Sequence, residues 1–105
     1  MGVIKGVLKE ELENSLRMKN GYERELAKLP RGSLIKKKVK GHEYYYLLLR
    51  DKGKVKFIYK GKLSEEEINK YKELKKRKKI IREAIAMLKQ QIKFLKRSLH
   101  GKESV

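Results

Sequence analysis

Residues 31–62 read RGSLIKKKVKGHEYYYLLLRDKGKVKFIYKGK, and the reading of this stretch decides the fold. Three runs of β-forming residues are separated by Lys40-Gly41 and by Asp51-Lys52-Gly53. Glycine reaches the positive φ of tight hairpin turns without steric cost, so the pattern predicts a three-stranded antiparallel meander over 33–60. The stretch carries eleven Lys/Arg against Glu43 and Asp51, a net charge of +9 on 32 residues.

The turns also predict registers. A two-residue turn at Lys40-Gly41 sets Val39 opposite His42, Lys36 opposite Tyr45 and Leu34 opposite Leu47. A two-residue turn at Lys52-Gly53 sets Asp51 opposite Lys54, Leu48 opposite Phe57 and Tyr46 opposite Tyr59. Side chains alternate between the faces of a strand. One face then carries Ile35, Val39, Tyr44, Tyr46, Leu48, Val55, Phe57 and Tyr59, with Lys37 and Arg50 toward its ends. The other carries Lys36, Lys38, Tyr45, Lys54, Lys56 and Lys60 around an apolar row of Leu34, Leu47, Leu49 and Ile58. The aromatic face is expected to be the core, packed on a helix. The lysine face, with Tyr45 between Lys36 and Lys60, is the expected contact surface. A one-residue slip at the second turn would turn the third strand over.

Helices flank the sheet. Ile4, Leu8, Leu12 and Leu16, then Tyr22, Leu26 and Leu29, follow helical spacing and predict a helix over 3–29. Asn20-Gly21 is expected to kink or split it, and Pro30 to stop it. A second, long helix is expected over 64–100. Ser64 with Glu67 forms a capping box, Leu63 and Ile68 a hydrophobic staple, and Glu65 to Glu67 meet the positive end of the helix dipole. Ile81, Ile85, Leu88, Ile92, Leu95 and Leu99 step alternately by four and three residues, a heptad seam for helix pairing. The basic run Lys75, Lys76, Arg77, Lys78 and Lys79 interrupts the apolar stripe upstream; the helix either runs on through it, about 50 Å long in all, or bends or breaks there. The first helix can fold back on the seam. Pairing of two chains through it, as a homodimer, is the favoured expectation. Residues 102–105 are expected to form a frayed tail. The fold class is α+β, in a single domain spanning 1–105.

Composition bounds the function. The full chain has 105 residues and a net charge of +17, from 30 Lys/Arg against 13 Asp/Glu. A charge of that size favours polyanionic partners, of which nucleic acid is the commonest. There is no Cys for a disulfide or thiolate metal site, and two His are too few for a histidine site. No cofactor or metal is expected. No stretch reaches the roughly 18 apolar residues of a membrane span. The N-terminus lacks the apolar core of a signal peptide, and a cytoplasmic location is expected.

The segment from Gly32-Ser33-Leu34 through Tyr44-Tyr45-Tyr46-Leu47 and Gly53-Lys54 to Tyr59, followed by a charged helix, resembles a group of small basic bacterial and archaeal proteins of uncharacterised function. The resemblance covers about residues 29–80. Many members insert a cysteine cluster between the first two strands. Here that connection is the plain Lys40-Gly41 turn, which carries no metal role. A looser resemblance, of topology alone, is to the arm-type DNA-binding domains of tyrosine recombinases. It implies a sheet laid in the DNA major groove.

Together these features make the expected function nucleic-acid binding, with duplex DNA favoured and mainly phosphate-backbone contacts. The candidate contacts are Arg31, Lys36, Lys38, Lys40, Tyr45, Lys54, Lys56, Lys60 and the run Lys75 to Lys79. The alternatives are an RNA or ribonucleoprotein accessory protein or inhibitor of phage or mobile-element origin, and a helical protein–protein adaptor. No constellation of Asp, Glu, His and Lys has a hydrolytic spacing, and no catalytic residue is assigned.

Overall fold

The structure, a computed structural model, describes residues 2–101; the expected frayed tail at 102–105 lies outside the described residues. The element order is α1 (Gly2–Lys28), β1 (Ser33–Val39), β2 (His42–Asp51), β3 (Lys54–Gly61) and α2 (Glu65–Gly101). The chain is therefore α+β: an N-terminal helix, a three-stranded antiparallel sheet in the order β1-β2-β3, and a long C-terminal helix. It gathers into two compact units, one made of residues 29–77 and the other of the described residues 2–28 with 78–101.

In the sheet unit both hairpins close on two-residue turns. Lys40 and Gly41 have φ of 51° and 80°, and Lys52 and Gly53 have 49° and 79°. Two consecutive positive φ values are the type I′ pattern, whose twist matches that of the strands it joins. Val39 pairs with His42, Lys36 with Tyr45, Tyr46 with Tyr59 and Asp51 with Lys54, so the register follows the turns. The second turn is free of a slip. The one irregularity lies at the opposite end of β3, where Tyr45 pairs with Gly61 and Tyr46 with Tyr59, leaving Lys60 as the extra residue of a bulge.

The faces are the reverse of the expected ones. Tyr45 is 8% exposed and Leu47 is also buried, so the core lies on the face carrying Lys36 and Lys56. Phe57 and Tyr59, expected in the core, are 57% and 59% exposed, and Val39 and Val55 are open as well. The central strand explains the outcome. On the buried face β2 presents Tyr45, Leu47 and Leu49 in succession. That face's lysines stand only on β1 and β3, the edge strands, where long stems keep the ammonium in water while lying along apolar surface. On the other face β2 ends in Arg50, and Lys37 sits inside β1 opposite Tyr44. Gly32 also marks the buried side. A Cβ there would stand 2.8 Å from Leu47 Cγ and 3.0 Å from Leu49 Cδ2.

The helical unit pairs α1 with the second part of α2. All six seam residues, Ile81, Ile85, Leu88, Ile92, Leu95 and Leu99, are buried within the single chain. On α1 the inward set is Leu8, Leu12, Ser15, Lys19, Tyr22 and Leu26. Ser15 is buried, and Gln91 Nε2 donates to its Oγ at 3.2 Å. α1 leaves this unit at Lys28 and α2 enters it at Lys78, with Ser15 beside Gln91 between, so the helices run antiparallel. The expected dimer through residues 81–99 is therefore not what covers them, since α1 already does. Nor does Asn20-Gly21 break α1, which stays helical throughout. Tyr22 and Leu26, half-buried just beyond, hold that part of the helix against its partner. At the start of α2, Glu67 N–H donates to Ser64 Oγ at 3.2 Å and Ile68 N–H to the Ser64 carbonyl at 3.0 Å, the N-cap arrangement expected there. The helix continues through 75–79 without interruption.

Two glycine substitutions separate backbone strain from collision. Gly53→Ala meets nothing within 4 Å and forces only a left-handed conformation on alanine, a cost of about 1 kcal/mol. Gly32→Ala adds a collision with the Leu47 side chain, so urea unfolding should show a loss of about 3 kcal/mol.

Candidate nucleic-acid interface

Alternation fixes what the open sheet face presents. Since Tyr45 and Leu47 point inward, Tyr44, Tyr46, Leu48 and Arg50 point outward from β2, Ile35 and Lys37 from β1, and Val55, Phe57 and Tyr59 from β3. The rings form a connected group. Tyr59 lies 5.3 Å from Tyr46 at 58° and 6.3 Å from Tyr44 at 39°, centroid to centroid. His42 extends the series, 6.4 Å from Tyr44. Tilted rings at these separations satisfy the aromatic quadrupole. Lys37 Nζ stands 5.0 Å from the centre of the Tyr46 ring and 5.6 Å from that of Phe57. A cation over two ring faces is held by their negative potential. The face is thus aromatic at its centre and along β3, with Lys37 set among the rings and Arg50 toward the second turn.

The expected contact residues fall into distinct groups. Arg31, Lys36, Lys38, Lys40, Lys54, Lys56 and Lys60 are all exposed in the sheet unit. Lys36 is already engaged, its Nζ 3.3 Å from Glu43 Oε1 on the same face. Lys40 sits in the first turn and Lys60 in the bulge. Tyr45, expected to touch a ligand, is buried, because it belongs to the apolar row of β2. The run 75–79 is divided: Lys75, Lys76 and Arg77 belong to the sheet unit, Lys78 and Lys79 to the helical one. Lys76 pairs with Glu73 at 3.7 Å. Lys78 turns partly inward; burial first, and then the Arg82 charge, hold its ammonium below the usual lysine range. The run is therefore not a uniformly solvated basic cylinder.

The residues that sequence reasoning missed are the ones it placed inside: Tyr44, Tyr46, Phe57, Tyr59 and Lys37. A signal was present. Arg50 stands on the central strand of that face, whereas every lysine of the opposite face stands on an edge strand. Among the described residues no group of three His, Cys, Asp or Glu is placed to hold a metal ion. No helix among them is long and apolar enough to cross a membrane.

Fold and surface define a small basic α+β protein that presents an aromatic and cationic sheet face. The chain belongs to the family described as "Domain of unknown function (DUF6788)", whose profile matches residues 8–70. That match takes in most of α1, the whole sheet and the start of α2. The seam at 81–99 and the basic run at 75–79 lie beyond it. Neither the curated proteins nor the solved structures give a match.

The two faces differ in what they do for stability. Tyr45→Ala should cost about 3 kcal/mol in urea unfolding, as for other buried aromatics. Phe57→Ala should cost less than about 1 kcal/mol, as at an exposed site. The reverse order would place the core on the aromatic face.

Proposed function

We propose that the protein binds nucleic acid through the open face of its sheet. Unpaired bases stack on Tyr59, Phe57 and Tyr46. Lys37, Arg50 and the lysines of the edge strands neutralise the phosphates. The observation that carries this reading is the exposure of Phe57 and Tyr59 beside Lys37 in a chain of net charge +17. Large rings left in water at a cationic surface suit a ligand that is flat, apolar on its faces and negatively charged along its backbone. Single-stranded nucleic acid has those properties, and each base stacked on a ring contributes roughly 1–3 kcal/mol.

The same surface is less suited to duplex DNA. In a duplex the base faces are stacked on one another, and a sheet in the groove meets base edges instead. Residues 31–62 contain no Asn or Gln, the side chains that read adenine edges in pairs of hydrogen bonds. The preference therefore moves from the duplex expected at first to unpaired DNA or RNA. Sequence preference should be weak, since every base has a stacking face.

Fluorescence anisotropy with single-stranded DNA, RNA of the same sequence and the matched duplex, from about 50 to 200 mM salt, tests the proposal. Unpaired strands should bind more tightly than the duplex, with a steep loss of affinity as salt rises. The double variant Phe57→Ala/Tyr59→Ala should weaken binding about 10–100-fold while leaving the salt slope unchanged, because stacking releases no counterions. Duplex binding as tight as single-strand binding, or an unaffected aromatic variant, would overturn the stacking model.

A further inference from the structure

The helical unit carries a second open surface that nucleic-acid binding does not use. On α2, Ile80, Ala84, Met87, Gln91, Phe94 and Ser98 each precede a buried seam residue by one position, and none is charged. Met87 is 72% and Phe94 66% exposed. On α1, Val7 and Met18 precede the inward residues Leu8 and Lys19 in the same way, and both are open; Glu11, Asn14, Gly21 and Glu25 hold the other positions of that stripe.

These two stripes lie on the same side of the helix pair. Each step along an α-helix turns about 100°. Reversing the second helix reverses the sense of that turn, so one step back from the seam points to the same side in both. Steps forward point to the opposite side. There Arg82, Lys89, Lys93 and Lys96 follow the seam residues of α2, and Lys9, Glu13 and Glu23 follow inward residues of α1. On α2 the two sides differ sharply, basic on one and uncharged on the other, while α1 adds Glu11 and Glu25 to the uncharged side and Glu13 and Glu23 to the basic one. Of the stripe polar groups, Gln91 is turned inward to Ser15.

We propose that the apolar face is the contact between two copies of this chain, which join their helical hairpins into an antiparallel four-helix bundle. Three observations favour a second copy as the occupant. The stripe repeats with the same alternation of four and three residues as the seam, so a helix fits it. A two-fold axis along the hairpin lays α1 of one copy over α2 of the other and brings Val7 and Met18 against Phe94 and Met87, which makes the face self-complementary. The open side chains Ile4, Val7, Met18, Ile80, Met87 and Phe94, each more than half exposed, supply apolar area of the kind that a standard interface of ~800 Å² per partner buries. The charge pattern removes the obstacle. Chains of +17 repel, but this arrangement turns Arg82, Lys89, Lys93 and Lys96 of both copies outward.

Sedimentation equilibrium of the full chain tests the proposal. The wild type should be dimeric at about 50 μM, and more so at about 0.5 M salt, where repulsion between basic chains is screened. Met87→Glu/Phe94→Glu should raise the dissociation constant at least ~100-fold. Its helical circular dichroism should stay that of the wild type, since both sites are open and Glu is a good helix former. Lys93→Gln, on the opposite face, should leave the dimer intact. A wild type that stays monomeric at about 200 μM in high salt would overturn the assignment. So would a dimer that survives the double Glu substitution, or one that Lys93→Gln dissolves.

Discussion

Burial of Tyr45 and Leu47 on the central strand is the constraint from which the surface of the sheet follows. Strand geometry allows one residue in two to face the core. Once these two face inward, Tyr44, Tyr46 and Leu48 face outward, and the register carries Phe57 and Tyr59 out with them. The other partly buried apolar side chains of that unit include Leu29, Leu34, Leu63, Ile68, Tyr71 and Leu74. On the aromatic face Ile35, Tyr44, Tyr46 and Leu48 are half-buried, but none of its residues is buried as Tyr45 and Leu47 are. The open rings are therefore a consequence of how the core is chosen, and not an isolated local irregularity.

Much of this was legible in the sequence, and for identifiable reasons. Lys40-Gly41 and Lys52-Gly53 dictate the strand pairing, because a two-residue turn with positive φ at both positions admits one register. Ser64 and Glu67 mark the start of α2 through a hydrogen bond that the residue types alone suggest. The seam from Ile81 to Leu99 declares itself by spacing. What spacing does not carry is the identity of the partner. Ser15 and Lys19 stand at inward positions of α1 without looking apolar, so the return of α1 onto the seam was less visible than the seam itself.

The choice of sheet face was illegible for a different reason. Both faces hold an apolar row, and counting aromatic residues favours the wrong one. The deciding difference is where the charges stand. On the buried face the lysines occupy edge strands, from which their stems reach water. On the open face Arg50 stands on the central strand, and Lys37, itself on the edge strand β1, reaches over the rings, 5.0 Å from the centre of Tyr46. An ammonium there is stable because the site is wet and the ring faces are negative. A tally of hydrophobic residues per face cannot register this, whereas the position of each charge relative to the sheet edges does.

The two compact units divide the protein's surface chemistry. The sheet unit holds exposed rings with cations beside them; the helical unit holds a basic side and an uncharged side on α2. The most direct measurement of the central claim, that the aromatic face is open and is the binding surface, is a titration of the aromatic ring resonances by NMR with a short single-stranded oligonucleotide. The account predicts upfield ring shifts for Phe57, Tyr59 and Tyr46 as bases stack on them, and no change at Tyr45. Shifts at Tyr45, with Phe57 and Tyr59 unaffected, would contradict it.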